Sequence, residues 1–181
     1  MDTEDFVIPE RVVRTLGIEH GMKVADFGAG SGAYTLAIAD YLSGSGTVYA
    51  IEVQKDLLRR IKNEAHKRGL KNIEIIWADI EEAGSSKILE HSIDVAVLSN
   101  VLFQVPDKIA PLLEAKRVVK KKGRIVIIDW SESFGGLGPH KDDVLTKAGA
   151  KAFASQAGLR VLEEFDAGAH HYGLMCTAHV Q

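Results

Sequence analysis

Residues 24–35 read Val24-Ala25-Asp26-Phe27-Gly28-Ala29-Gly30-Ser31-Gly32-Ala33-Tyr34-Thr35. The front of this stretch is apolar except for Asp26, the pattern of a parallel strand covered on both faces. Glycines at 28, 30 and 32 predict a tight turn, and the residues beyond them open a helix. A strand that stops in glycines and turns at once into a helix brings backbone, in place of side chain, against whatever occupies the crevice above the sheet.

Working outward, the N-terminal side predicts a short helix from Pro9 carrying Val12, Val13 and Leu16, with Pro9 suited to the first turn. Residues 1–22 are read as an N-terminal helix and lid. On the other side Tyr34, Ala37, Ile38, Tyr41 and Leu42 fall at the i, i+3, i+4, i+7, i+8 spacings of one buried helical stripe, and Ser43-Gly44-Ser45-Gly46 ends it. Strands are predicted over 47–53, 73–79, 93–100 and 124–130, and helices over 55–68 and 106–121. A short helix is expected within 81–91. The segment 131–141, rich in glycine with Pro139 and His140, reads as a loop on the substrate side. Thr146 is placed to cap a helix with Ala150, Phe153, Ala154 and Ala157 on one face. Strands near 160–165 and 172–179 follow, joined by too few residues for a parallel crossover. Five alternating strands and helices plus this pair predict an α/β fold: a doubly wound, mostly parallel seven-stranded sheet with an antiparallel last strand.

Composition narrows the function. The 181 residues suit one domain with a substantial core, 1–181. A formal net charge of -3 supplies no basic field for nucleic acid, which is therefore disfavoured as a partner. Cys176 is the single cysteine, which excludes an internal disulfide and a multi-cysteine metal site built from this chain alone. The acidic Met1-Asp2-Thr3-Glu4-Asp5 lacks the basic start of a secretory signal, and no apolar run approaches the roughly 20 residues needed to span a bilayer. These features lead to the expectation of a cytoplasmic protein without membrane partners.

The glycine turn alone does not choose a cofactor. With Ala33 it also satisfies the G-x-G-x-x-A form of the dinucleotide fingerprint, and Glu52, about twenty residues on, stands where either kind of site wants a carboxylate for a ribose diol. Asp79, at the end of the third strand, is placed to accept from an adenine amine. The fourth strand ends in Asn100-Val101-Leu102-Phe103, one amide and an apolar run.

Taken in order, these motifs resemble the class I S-adenosylmethionine-dependent methyltransferases from Val24 to Cys176. Val24–Gly32 is similar to that family's first motif, Tyr49–Val53 to its second, Trp77–Ile80 to its third and Asp94–Phe103 to its fourth. The stretch 113–129 is similar to the helix and strand that follow in small-molecule members. The resemblance implies a Rossmann-like methyltransferase fold and S-adenosylmethionine as cofactor. Gly28, Ala29, Gly30 and Gly32 would pass beneath its methionine part, with Asp26 organising the loop or reaching the amino group through water. Glu52 and Val53 would hold the ribose, Asp79 and Ile80 the adenine, and Asn100 and Val101 the fourth-strand wall. The acceptor would be a small molecule, because the Asn-Pro-Pro-Tyr or Asp-Pro-Pro-Tyr of amino-group methylases is absent and a single cysteine does not suit arsenic methylation. Phe103, Trp130 and His140 are the candidates for its pocket, with the segment around Phe6 to Ile8.

No catalytic residue stands out. His140 and Tyr172 are the candidates for touching substrate. The adjacent His170-His171 points to opposite sides if extended, so that with His179 it suggests no metal site. Cys176 reads as a small core residue. Two alternatives stay open: a nicotinamide-dependent oxidoreductase, for which no Tyr-x-x-x-Lys pair is present, and an S-adenosylmethionine-binding module without turnover. Oligomeric state is not encoded in any of these signals.

Overall fold

The computed structural model describes residues 8–134, 136 and 138–178. The chain runs α1 (Pro9–Val13), β1 (Lys23–Phe27), α2 (Ala33–Leu42), β2 (Thr47–Glu52), α3 (Lys55–Lys67), β3 (Ile73–Trp77), β4 (Ile93–Ser99), α4 (Ala110–Val118), β5 (Val119–Trp130), α5 (Lys147–Gln156), β6 (Arg160–Asp166) and β7 (His171–Thr177). One seven-stranded sheet has the order β3-β2-β1-β4-β5-β7-β6. β1 to β5 pair in parallel, and β7 pairs antiparallel with both β5 and β6, so β7 alone is reversed. The anticipated architecture is therefore present. The order reverses between β1 and β4, the place where open α/β sheets leave a crevice at their strand ends.

Burial explains the central strands. β1 and β4 are almost wholly enclosed, because their side chains alternate between two apolar layers. Val24, Val95, Val97, Val126 and Ile128 meet α1 and α2 on one face. Ala25, Phe27, Leu98, Ile127 and Leu174 meet α4 and α5 on the other. Thr146 caps α5 as expected, its hydroxyl accepting from the Gly149 amide at 3.1 Å. Tyr41, placed on the inward stripe of α2 from its spacing, is 39 % exposed and borders a surface hollow with Glu10 and Arg14, while its neighbour Leu42 is buried. None of the helices among the described residues is long and apolar enough to cross a membrane.

Two connections differ from the sequence reading. Residues 81–91 form turns and no helix, with Lys87 and His91 at φ +54° and +53°, outside the right-handed helical region. Side chains hold this segment. The buried Glu114 of α4 accepts from Ser86 Oγ at 2.6 Å and the Gly84 amide at 2.8 Å, while Arg117 clamps Glu114 at 2.7 and 2.9 Å and donates to the Ile88 carbonyl at 2.8 Å. The helix placed over 106–121 spans only Ala110–Val118. Residues 119–122 already belong to β5, where Ile93 pairs with Val119 and Lys120 meets Asp94 at 2.7 Å. The cations complementing the helix dipole are thus Lys116 and Arg117.

Hydrogen bonds from Arg117, Ser86 and Gly84 outweigh burial and pull the Glu114 carboxyl down to about 2. A depressed carboxyl stabilises the fold above its unfolded pKa and loses that contribution as pH falls through the folded value. Glu114→Gln should cost about 1.5 to 3 kcal/mol at pH 7, the range for hydrogen bonds to a charged group. In denaturant titrations, the gap from wild type should narrow as the pH is taken from 5 toward 2.

Candidate functional site

The site is built at the C-terminal ends of β1, β2, β3 and β4. The turn after β1 needs glycine for two reasons at residue 28: its φ is +72°, and a Cβ there would lie 2.6 Å from Val101 Cγ2. The Gly28 and Ala29 amides both donate to the Ile51 carbonyl at 2.9 Å, locking the turn to β2. At Gly30, φ +54°, a Cβ would meet only the Gly28 carbonyl oxygen at 3.9 Å, and the residue lines the crevice.

Glu52 aims at this turn. Oε2 accepts from the Gly30 amide at 2.9 Å and Oε1 from the Gln54 amide at 3.0 Å, with the residue 7 % exposed. Asp26 lies deeper. It accepts from Thr35 Oγ1 at 2.6 Å and from the Thr35 amide, so it ties β1 to the first turn of α2. Burial, helped by the nearby Glu52 charge and opposed by the Thr35 bonds, raises its carboxyl to about 6. Asp79 accepts from the Glu81 amide at 2.9 Å and opens the connection after β3.

Two adjoining cavities result. One, of about 280 Å³, is lined by Glu52, Val53, Asp79, Ile80 and Val101, together with Gly28, Gly30, Gln54, Leu57, Ala78, Glu81, Gln104 and Val105. The other, of about 250 Å³, is lined by Asp26, Ala29 and Asn100, together with Pro9, Gly28, Gly30, Ser31, Ala33, Tyr34, Ser99 and Gln104. Every residue anticipated at the cofactor is at one of them except Gly32. Gly32 stands behind the turn as the N-cap of α2, where a Cβ would press on Ile61 at 2.6 Å.

Asn100 departs most from ordinary structure. It holds φ +55°, a region Asn tolerates better than most residues. Its Oδ1 is buried with no hydrogen-bond partner among the described residues. A lone buried acceptor costs about 1 to 3 kcal/mol unless a donor reaches it. In this position it suits a cationic or protic group entering the 250 Å³ cavity.

The residues expected on the acceptor side fall elsewhere. Phe103 packs against the core on the α4–α5 face, and Trp130 meets the His171 ring with centroids 4.1 Å apart and planes tilted by 42°, with Gly138 folded over its ring. His140 is exposed and receives the Asp142 amide at 3.5 Å. Tyr172 is buried, its hydroxyl donating to the Leu145 carbonyl at 2.9 Å, and burial raises it further from ionisation. None of these four lines either cavity; His140 serves a surface turn and Tyr172 a core contact. Phe6 and His179 lie outside the described residues, whereas Pro9 does reach the smaller cavity. No group of three or more potential metal ligands occurs among the described residues. Sequence reasoning missed Gln104, which lines both cavities from within an apolar run, and no local pattern marks it.

A family model described as a methyltransferase domain matches residues 18–166. The chain belongs to the methyltransferase domain family. Its sheet order and its relatives place it in class I, the S-adenosylmethionine-dependent branch. It is 27 % identical over 123 residues to a demethylmenaquinone methyltransferase from Geobacillus sp. (strain WCH70), covering 68 % of this chain and 51 % of that protein. The chain thus spans about half the length of that curated relative. The crystal structure of a SAM dependent methyltransferase from Aquifex aeolicus superposes with a TM-score of 0.85 at 26 % identity, covering 94 % of this chain and 89 % of that one. The cyclase SpnF shares the fold, with a TM-score of 0.78 at 15 % identity over 95 % of this methyltransferase-family chain and 81 % of its own.

Asp26 gives a pH test of this geometry. A carboxyl whose folded pKa is raised favours folding below its unfolded value, and that advantage is lost as pH rises through about 6. Asp129, also raised to about 6 by burial, acts in the same sense. Melting temperatures recorded from pH 4 to pH 7.5 should therefore decline less steeply for Asp26→Asn than for wild type. An identical slope would place the Asp26 carboxyl in water.

Proposed function

We propose that this chain transfers a methyl group from S-adenosylmethionine to a small-molecule acceptor. The observation that carries the reading is the convergence of Glu52, Asp79 and Asn100, from three strand ends, around one glycine turn. When bound, the cofactor supplies a methyl group already activated on a cationic sulfur.

The residues present fit such a group. In the larger cavity each Glu52 oxygen retains a lone pair beyond its backbone amide, which suits a ribose diol. Asp79 keeps its second oxygen for an exocyclic amine, and Ile80 and Val101 offer apolar contact to a ring. In the smaller cavity the Asn100 Oδ1 suits an ammonium group. The N-terminus of α2, which has no side-chain cap bond, suits a carboxylate.

Catalysis then rests on holding acceptor and methyl in near-attack geometry and on excluding water, which together are worth roughly 7 to 11 kcal/mol. A general base adds about 10²- to 10⁴-fold only where the acceptor must lose a proton. Asp26 is committed to Thr35, which leaves orientation as the contribution of the named residues. The relatives named demethylmenaquinone methyltransferases support a small-molecule acceptor, and identity of 27 % over half their length does not carry their substrate to this chain.

Calorimetric titration with S-adenosylmethionine, S-adenosylhomocysteine and NAD tests the reading: the first two should bind and NAD should not. Glu52→Ala should weaken S-adenosylmethionine by about 1.5 to 3 kcal/mol while the protein still melts cooperatively. NAD binding with neither adenosyl ligand bound would favour the oxidoreductase instead. Release of S-adenosylhomocysteine across a panel of phenols, quinols, amines and carboxylic acids separates an enzyme from a binding module.

A further inference from the structure

The two cavities have only Gly28, Gly30 and Gln104 in common. The glycines contribute backbone alone. Gln104 is therefore the one described residue that brings a side chain to both, and it stands opposite the glycine turn where the halves of the trough meet.

Its placement follows from the turn after β4. With Asn100 in the left-handed region, the chain folds back so that the Gln104 amide donates to the Val101 carbonyl at 3.0 Å and Nε2 reaches the Asn100 carbonyl at 2.5 Å. The buried Asp129 secures the same turn by accepting from the Phe103 amide at 3.2 Å. A carbonyl can only accept, so the nitrogen end of the Gln104 carboxamide is the tethered one. The oxygen end, Oε1, has no hydrogen bond among the described residues, and the residue is exposed.

We infer that the Gln104 carboxamide touches the sulfur and methyl group of the cofactor and sets the preference of the site between the methyl donor and its demethylated product. This rests on the function proposed above. A ligand with its nucleoside in the larger cavity and its amino-acid end in the smaller must cross between Gln104 and the glycine turn. In S-adenosylmethionine the atoms that join those two ends are the sulfur and its neighbouring carbons. Gly28 and Gly30 present no side chain there, so the polar group facing the crossing point is the Gln104 carboxamide. A carbonyl oxygen is favoured beside a positive sulfonium and is indifferent to the neutral thioether left after methyl transfer. Gln104 thereby contributes to retaining the donor and releasing the product.

The test is the ratio of dissociation constants for S-adenosylhomocysteine and S-adenosylmethionine, measured by calorimetry on the full chain. Gln104→Glu replaces a dipole with a charge and should shift the ratio toward S-adenosylmethionine by roughly three- to fivefold, the scale of an exposed ion pair. Gln104→Leu should shift it the opposite way. Glu52→Gln should weaken both ligands together and leave the ratio where it was. Unchanged ratios in both Gln104 variants, with both ligands still bound, overturn the inference. A wild-type protein that binds neither ligand overturns the methyl-donor reading beneath it.

Discussion

One carboxylate joins the two strand ends at the middle of the site. Glu52, the last residue of β2, accepts the Gly30 amide from the turn after β1 and the Gln54 amide from its own exit. Without it the glycine turn would keep an unpaired donor beside the crevice, and its link to β2 would rest on the bonds to Ile51. With it, the acid already points at the turn and its spare lone pairs face the cavity. Ordering of this kind lowers what a ligand must spend to bind.

The same device recurs at three other places where regular structure ends. Asp26 holds the start of α2 through Thr35, Asp129 ties the turn after β4 to the end of β5 by accepting from the Phe103 and Trp130 amides, and Glu114 holds the connection between β3 and β4. Each buried acid satisfies amides or hydroxyls that no helix or strand reaches. The titration directions differ with the partners. Glu114 has a guanidinium and is held low, whereas Asp26 and Asp129 lack so close a cation and are pushed up by burial. Of these three only Asp26 reaches the crevice, which Glu52, Asp79 and Glu81 also line, a setting suited to a ligand that carries positive charge.

The fold alone does not assign the chemistry, since a cyclase shares it. What narrows the function is the set of groups at the strand ends. Three acids and apolar contacts line one cavity, an amide, the buried Asp26 and an uncapped helix start line the other, and glycine backbone lies between. The acceptor side is not marked in this way: Phe103, Trp130, His140 and Tyr172 each have another use in packing or turn structure.

The β-strands, the glycine turn and the acids at the ends of β2 and β3 were all legible in the sequence, because buried parallel strands impose apolar runs and a backbone approach imposes glycine. The antiparallel pair was legible too, since a short connection forbids a parallel crossover. Residues 81–91 were not: their conformation is set by Glu114 and Arg117, about thirty positions away, against the local helical tendency. Nor was the boundary at Val118, where pairing with β4 claims residues that would otherwise extend the helix. Gln104, and the lack of a partner for the Asn100 oxygen, become visible only when four strand ends meet, because no periodicity records which side chains face a shared cavity. The sequence by itself determined the order of elements and the chemistry available at their ends. The tertiary structure decided which of those groups face one another, since that depends on contacts between segments far apart in the chain.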